Sequence, residues 1–335
     1  MSIQHGVPPA GSAASPFSPP PGAASAAAPL TRVGVIGLGE VGAIFGAALR
    51  EQGLPWVGAW DVLALNEAER VVLQQRAAAA GVTLCPDLAA LCAQAELLIS
   101  AVTAGNTLAA AQAAATELRP GTWYLDLNSA SPATKQAAAA AIEAAGGRYV
   151  EAGVMTSVPP YGIRVPMLIG GPHAAALQPV LQRWGMQVQV ASEHLGVASA
   201  TKMCRSVMIK GLEALVIESF TAARHYGVEE AMIATLQETF PGIDWPAQAA
   251  YFYRRVAQHG RRRAEEMREV ARTVAEAGFE PQMASATADK DDWMAALARA
   301  GAFGHITDSQ GWQHWADALL ASRLAVSRQE VVPKN

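Results

Sequence analysis

The run Gly37-Leu38-Gly39-Glu40-Val41-Gly42 places glycine at its first, third and sixth positions. That spacing lets backbone wrap a pyrophosphate. Gly37 permits a tight turn, Gly39 permits close approach of a phosphate, and Gly42 lets the next helix pack closely on a strand, while that helix's free N–H groups face the anion. The pattern carries weight only after a strand, at the start of a helix, and with an acid about 20 residues further on. All three conditions hold. Residues 32–37 (RVGVIG) form a short β-rich apolar run, a helical stretch begins at Glu40, and a second strand at 56–60 ends on Asp61, 19 residues beyond Gly42. Asp61 is placed to accept hydrogen bonds from the adenosine ribose hydroxyls, and its charge opposes a 2′-phosphate. No Arg or Lys follows it until Arg70, so NAD is favoured as cofactor, with NADP the alternative. A helix N-cap is the structural alternative for Asp61. Val102 and Thr103, at the end of a strand over 97–102, are expected beside the same cofactor.

A second chemistry-bearing group centres on lysine. The chain has only five, Lys135, Lys202, Lys210, Lys290 and Lys334, which makes a lysine inside an apolar helix conspicuous. At 100° per residue, Lys202, Ser206 and Glu213 fall within about 40° of one helix face, flanked by Lys210 and Arg205. Lys202 lies near the helix N-terminus, where the dipole disfavours a cation, and Arg205 adds like-charge repulsion. Burial lowers the pKa further, as a proton acceptor near neutral pH requires. The competing reading is a helix whose charges pair or point to water; for Glu213 it is an ion pair with Lys210.

The elements that position these residues change along the chain. Residues 1–30 are mostly Pro, Ala, Gly and Ser, without Lys or Arg. They read as a disordered tail, lacking the cationic start of a signal peptide and the arginines of a transit peptide. From residue 32, strands at 32–37, 56–60, 82–85, 97–102 and 123–127 alternate with helices at 40–52 and 63–79 and with further helical stretches. That alternation predicts βαβ units and a parallel, buried sheet. Strands at 149–154, 166–169 and 186–190 close this half. After Gly196 strand signals vanish, and four or five helices fill 197–325, the first running from 197 to 226. Breaks are expected at Gly227, Pro241-Gly242, Gly260, Gly278–Pro281 and Gly301–Gly304. The predicted architecture is an α/β Rossmann domain (31–195), a long interdomain helix (196–226) and an all-α C-terminal domain (227–328).

Four segments in order resemble one family: Asp126-Leu127-Asn128-Ser129-Ala130-Ser131-Pro132, Glu151-Ala152-Gly153-Val154, Leu168-Ile169-Gly170-Gly171, and Gly196-Val197-Ala198-Ser199-Ala200-Thr201-Lys202. Over residues 32–225 the chain resembles the β-hydroxyacid dehydrogenases, the group containing 3-hydroxyisobutyrate and 6-phosphogluconate dehydrogenases. Its helical remainder is more similar to the poorly characterised 6-phosphogluconate-dehydrogenase-like oxidoreductases. The resemblance implies a homodimer, Lys202 as catalytic lysine, and a substrate-carboxylate loop at Asn128 and Ser129, with Ser206 in the pocket. Departures fall in the substrate pocket. Ala198 stands for the family's second glycine before the lysine, and Ser206 for its asparagine four residues after it. Arg205 stands where 6-phosphogluconate dehydrogenase has histidine, and Thr156-Ser157 replaces a substrate-contacting glycine pair. The expected reaction is hydride transfer between the nicotinamide and a small 3-hydroxy acid or its 3-oxo form, with Lys202 moving the hydroxyl proton.

Other signals narrow the field. A net charge of −4 argues against nucleic acid as partner, and no stretch offers the ~20 strongly apolar residues of a membrane span. Three cysteines in no metal or redox spacing fit a reducing cytoplasm, with Cys92 a small core residue. The seven histidines form no ligand cluster, so no metal is implied, and no G-x-S-x-G motif points to a serine hydrolase. The arginines from Arg254 to Arg268 are interleaved with Glu265 and Glu266, a pattern that favours a solvated, salt-bridged helix. Trp293, Trp312 and Trp315 read as core or interface anchors. Two rival functions remain: an imine or ketone reductase of related fold, and a non-catalytic dinucleotide sensor, which would have no use for Asn128-Ser129 and Lys202.

Overall fold

The computed structural model describes residues 30–307 and 309–330. The segment expected to be a tail lies outside them, except Leu30. The first half alternates β1 (Arg32–Ile36), α1 (Glu40–Glu51), β2 (Trp56–Trp60), α2 (Glu67–Ala79), β3 (Thr83–Leu84), α3 (Leu88–Gln94), β4 (Leu97–Ser100), α4 (Thr107–Glu117), β5 (Trp123–Asp126) and α5 (Pro132–Ala144). It finishes with β6 (Arg148–Val154), β7 (Met167–Gly170), α6 (Ala174–Arg183) and β8 (Val188–Ser192). Together the strands form one eight-stranded sheet in the order β3-β2-β1-β4-β5-β6-β7-β8. The expected parallel pairing holds except between β6 and β7, which run antiparallel. The twelve residues between them turn at a short 3₁₀ segment (Gly162–Arg164) and link the strands as a hairpin, without the helix of a crossover connection.

The central strands are continuous apolar runs because helices cover both faces. Val33, Val35, Leu97, Ile99 and Leu125 point into the core on one side, and Ile36, Leu98 and Tyr124 into that on the other. Ala111, Ala114, Ala138 and Ala139 are 0–1% exposed and let α4 and α5 sit closely on the sheet. Cys92 is a core residue of the same face, and burial pushes its thiol up to about 12. The strand order reverses about β1, which pairs with β2 on one side and β4 on the other. At such a switch point the diverging connections leave a crevice at the carboxyl ends of the strands, where ligands bind in open α/β sheets.

The chain then runs into α7 (Val197–Tyr226), α8 (Glu229–Thr239), α9 (Trp245–Glu276), α10 (Gln282–Arg299) and α11 (Trp312–Glu330). The 30-residue α7 matches the expected interdomain helix. A separate core of Phe220, Tyr253, Val256, Met294, Trp312, Trp315 and Leu319 joins α7, α9, α10 and α11, so Trp312 and Trp315 are core anchors, whereas Trp293 is partly exposed. One expected break is absent: α9 continues unbroken through Gly260. That glycine marks close packing, since a Cβ there would lie 2.5 Å from the Asp291 carbonyl oxygen of α10. No helix among the described residues is long and apolar enough to cross a membrane.

Candidate active site

The three glycines of the run differ in what surrounds them. Gly37 turns the chain off β1 with φ +90°, and a Cβ there would meet the Ala101 carbonyl oxygen at 2.6 Å. At Gly42 a Cβ would lie 1.9 Å from the Gly37 carbonyl oxygen, so only glycine lets α1 start there. Around Gly39 there is nothing within 4 Å of a Cβ position, and no side chain caps the N-terminus of α1. An open cradle over an uncapped helix N-terminus fits a dinucleotide pyrophosphate. Leu38, Glu40 and Val41 complete the loop, and Glu40 and Val41 border the cleft described below.

Asp61 lies at the end of β2. Its carboxylate accepts from the Leu38 N–H at 2.8 Å and the Leu63 N–H at 3.0 Å. It therefore caps the 3₁₀ turn at Val62–Leu65 and also ties down the glycine loop. The nearest basic residue in sequence, Arg70, bonds the Ala64 carbonyl. Arg76 of α2 instead reaches back to donate to the Leu38 carbonyl at 2.8 Å. A guanidinium thus reaches the glycine loop, which the linear spacing did not reveal.

Between this loop and the helical half lies a cleft of about 300 Å³. Lys202, Ser129, Asn128, Ser206, Val102 and Thr103 all line it. Lys202 donates to the Ser129 hydroxyl at 2.5 Å, across the two halves. Burial, reinforced by Lys210, Lys135 and Arg262 against the opposing pull of Glu266, lowers the Lys202 ammonium to about 8. Asn128 has a different emphasis from the one expected. Its amide oxygen accepts from the Val102 N–H at 2.7 Å and its nitrogen donates to Ser100 at 3.0 Å. It holds the β4 and β5 loops together with one N–H left over. Ser206 donates to the Lys202 carbonyl at 2.9 Å, leaving its oxygen to accept.

The remaining motifs hold Lys202 in place. Glu151 of β6 is fully buried and accepts from the N–H groups of Gly196 (2.7 Å), Ala198 (3.2 Å) and Ser199 (3.3 Å). It caps α7, and its charge suits the helix dipole. Gly153 lets α7 lie close: a Cβ there would sit 2.9 Å from the Ala198 carbonyl oxygen and 3.5 Å from Lys202 Cβ. Replacing Glu151 with Ala strands three buried N–H groups, so a stability loss of about 3 kcal/mol or more is expected. A urea unfolding midpoint close to wild type would contradict this capping role. On the other side of the cleft, buried Asp126 accepts from Lys135 (2.8 Å), Tyr149 (2.7 Å) and the Asn128 N–H (2.9 Å), fixing the start of the Asn128-Ser129 loop. Glu269 of α9 fixes its end by accepting from the Ser131 N–H at 2.9 Å.

The basic stretch of α9 departs from the solvated helix expected of it. Arg255, Arg262, Arg263 and Glu266 line the cleft, and Arg263 and Glu269 are buried. Arg261, paired with Glu265, and Arg268, paired with Asp292, behave as surface ion pairs. Nor do Lys210 and Glu213 pair with each other. Lys210 bonds Glu266 at 2.5 Å, while Glu213 meets Arg263 and, at 3.7 Å, Arg255. Burial would raise Glu266, but Lys210, Lys202 and Arg262 outweigh it and hold the carboxyl at about 2. Glu266 is therefore a fixed negative charge behind Lys202. The spacing 255, 262, 263, 266 is one helical stripe, which could have been read as a face. A larger groove, of about 800 Å³, is lined mainly by apolar residues of α7, α10 and α11 and shares no residue with this cleft.

An open α/β sheet with a glycine-loop crevice, facing a partly buried lysine on a long interdomain helix, defines a nicotinamide-dinucleotide-binding dehydrogenase fold. Comparison with known proteins agrees. Residues 32–192 match the NAD binding domain of 6-phosphogluconate dehydrogenase, and residues 223–293 match a domain of unknown function, DUF1932. A conserved hypothetical protein from Sinorhizobium meliloti 1021 is 36% identical, with a TM-score of 0.70 over 87% of this chain and 96% of its own. The conserved protein MTH1747, of unknown function but structurally similar to 3-hydroxyacid dehydrogenases, is 34% identical, with a TM-score of 0.62 over 80% and 98% of the two chains. The 3-hydroxyisobutyrate dehydrogenase of Mycobacterium tuberculosis, solved with L-serine, shares the fold at 18% identity and a TM-score of 0.60, over 87% and 99%. The chain belongs to the 6-phosphogluconate-dehydrogenase-like members of the β-hydroxyacid dehydrogenase family and carries that family's NAD-binding domain.

Proposed function

We propose that this protein is an NAD(P)-dependent oxidoreductase that interconverts a small 3-hydroxy acid and its 3-oxo form, with Lys202 as general acid and base. The observation that carries the reading is the Lys202–Ser129 contact of 2.5 Å, in a cleft continuous with the glycine loop. Gly37, Leu38, Gly39, Glu40, Val41 and Gly42 would hold the cofactor pyrophosphate, Asp61 the adenosine ribose, and Val102 and Thr103 the nicotinamide side. The cofactor, when bound, supplies or accepts the hydride. Ser129 and Lys202 bracket the substrate hydroxyl, and Lys202 Nζ takes its proton during oxidation or returns it during reduction. Asn128 shapes the loop and offers its spare N–H, while Ser206 offers an acceptor to a neighbouring hydroxyl.

The pKa of about 8 sets a pH signature. Oxidation needs neutral Lys202, so kcat/KM for the hydroxy acid should rise with pH and level off above about 8. Reduction needs the ammonium, so it should fall over the same interval. Profiles in both directions, with NAD and with NADP, test this reading. A flat profile in both directions would remove Lys202 from proton transfer and favour an imine or ketone reductase with another donor. For the assembly, we place a second copy of the chain against the exposed apolar stripe of α7 (Val197, Met208, Leu215, Tyr226) and against α8, which buries no residue of its own.

A further inference from the structure

Behind the cleft wall, three carboxylates meet two buried cations. Lys210 and Glu213 of α7, Arg263 and Glu266 of α9, and Asp291 of α10 lie where the three helices pack together. Lys210 bonds Glu266 at 2.5 Å, and Arg263 meets Glu213, which Arg255 also approaches at 3.7 Å. Asp291 is left over. It is 1% exposed, and among the described residues neither of its carboxylate oxygens has a hydrogen-bond partner. Backbone packing sets it beside Arg263. Gly260, one turn before Arg263, lies against the Asp291 carbonyl, and Thr287, one turn before Asp291, faces Gly211 next to Lys210. Arg263 is 3% exposed, and its Nε likewise makes no hydrogen bond among the described residues. The charges of Asp291 and Arg263 act on each other.

In water an aspartate needs no partner, but in the protein interior an unbonded carboxylate is costly, and a proton relieves it. Burial raises the Asp291 carboxyl to about 6, against the pull of Arg263 and Lys210 and with the push of Glu266 and Asp292. Once ionised, it faces one cation already committed, Lys210, and one with a donor to spare, Arg263. A guanidinium presents five N–H groups in a planar fork and can serve two carboxylates at once. We infer that Asp291 is a proton-operated switch on Arg263. With the proton on, Arg263 answers Glu213 alone. With the proton released to solvent, Arg263 is shared by Glu213 and Asp291 and drawn toward α10. Because Arg263 and Lys210 also line the cleft, its wall then changes with pH separately from the titration of Lys202.

The test uses the full-length protein without substrate, so its outcome is separate from whether the cleft turns over a hydroxy acid. In protein labelled with nitrogen-15 arginine, the Arg263 Nε–H resonance is assigned by its loss in Arg263→Lys. It should move with a midpoint of about 6 in wild type and stay fixed in Asp291→Asn. Stability supplies the second reading. A carboxyl raised in the folded state favours folding below its unfolded value of about 4, and that advantage is lost as pH rises through about 6. Asparagine does not ionise. In urea titrations, the folding equilibrium of Asp291→Asn relative to wild type should therefore improve about tenfold between about pH 5 and pH 8. Glu213→Gln, which leaves Arg263 to Asp291, should lower the midpoint by about one pH unit, and it decides the question if Asp291→Asn does not fold. An Arg263 resonance that is constant over this pH range, or that moves equally in Asp291→Asn, overturns the switch. So does a stability difference between Asp291→Asn and wild type that is flat over the same range.

Discussion

Lys202→Ala should lower kcat about 10³-fold, within the usual range for loss of a general acid–base, and leave cofactor affinity within about threefold of wild type. The two effects separate because the lysine and the glycine loop belong to different elements. Lys202 stands on α7 and touches Ser129, whereas the pyrophosphate cradle is built from the β1–α1 turn. A thousandfold is about 4 kcal/mol of barrier, which removal of one hydrogen-bonding group rarely supplies unless it moves a proton. Lys202→Arg sharpens the test. Arginine keeps the positive charge and can still donate to Ser129, but it does not deprotonate in proteins, so it should fail in oxidation nearly as badly as alanine. Rescue by arginine would mean that the lysine contributes only charge. Steady-state rates together with cofactor titration by tryptophan fluorescence give both quantities on the same samples.

Gly42→Ala should weaken cofactor binding at least ~100-fold and lower stability by about 1–3 kcal/mol, the range for overpacking a rigid site. The added Cβ would lie 1.9 Å from the Gly37 carbonyl oxygen, so the turn off β1 or the first turn of α1 has to move. Gly39→Ala is the informative partner. Nothing in the protein lies within 4 Å of its Cβ, so the fold should tolerate it. The methyl nevertheless enters the open cradle, and affinity should fall without loss of melting temperature. If Gly39→Ala binds cofactor normally, the cradle is not where the pyrophosphate lies.

These two sites were legible in the sequence for a common reason: their geometry is local. A strand, a glycine turn and a helix N-terminus are contiguous, and so are the pieces of the Asp126–Pro132 loop, so residue order nearly specifies the structure. The order of four motifs then brought Ser129 and Lys202 together although they are far apart in the chain. What stayed hidden depends on packing between distant helices. Glutamates interleaved among arginines read as a solvated face, and no linear pattern reveals that α9 crosses the cleft so that Glu266 backs Lys202 and Lys210. Gly260 read as a break because glycine commonly ends helices, but its small size serves contact with α10 at Asp291. Arg76 stands most of a helix after Asp61 in the chain, yet the return of α2 along the sheet brings it to Leu38. Glu151 belongs to a motif legible in the sequence, but its role as the cap of α7 lies in the hydrogen bonds it accepts from Gly196, Ala198 and Ser199, 45 to 48 residues away.

The most direct test of the central claim follows the hydride itself. The wild-type protein would be incubated with NAD or NADP and a panel of 3-hydroxy acids deuterated at C3, and the nicotinamide recovered for mass spectrometry. Reduced cofactor carrying one deuterium, formed by wild type and not by Lys202→Ala, is the expected result. No reduced cofactor from any acid, while fluorescence confirms that the dinucleotide is bound, would contradict the account and leave a reductase of other substrates or a dinucleotide sensor in its place.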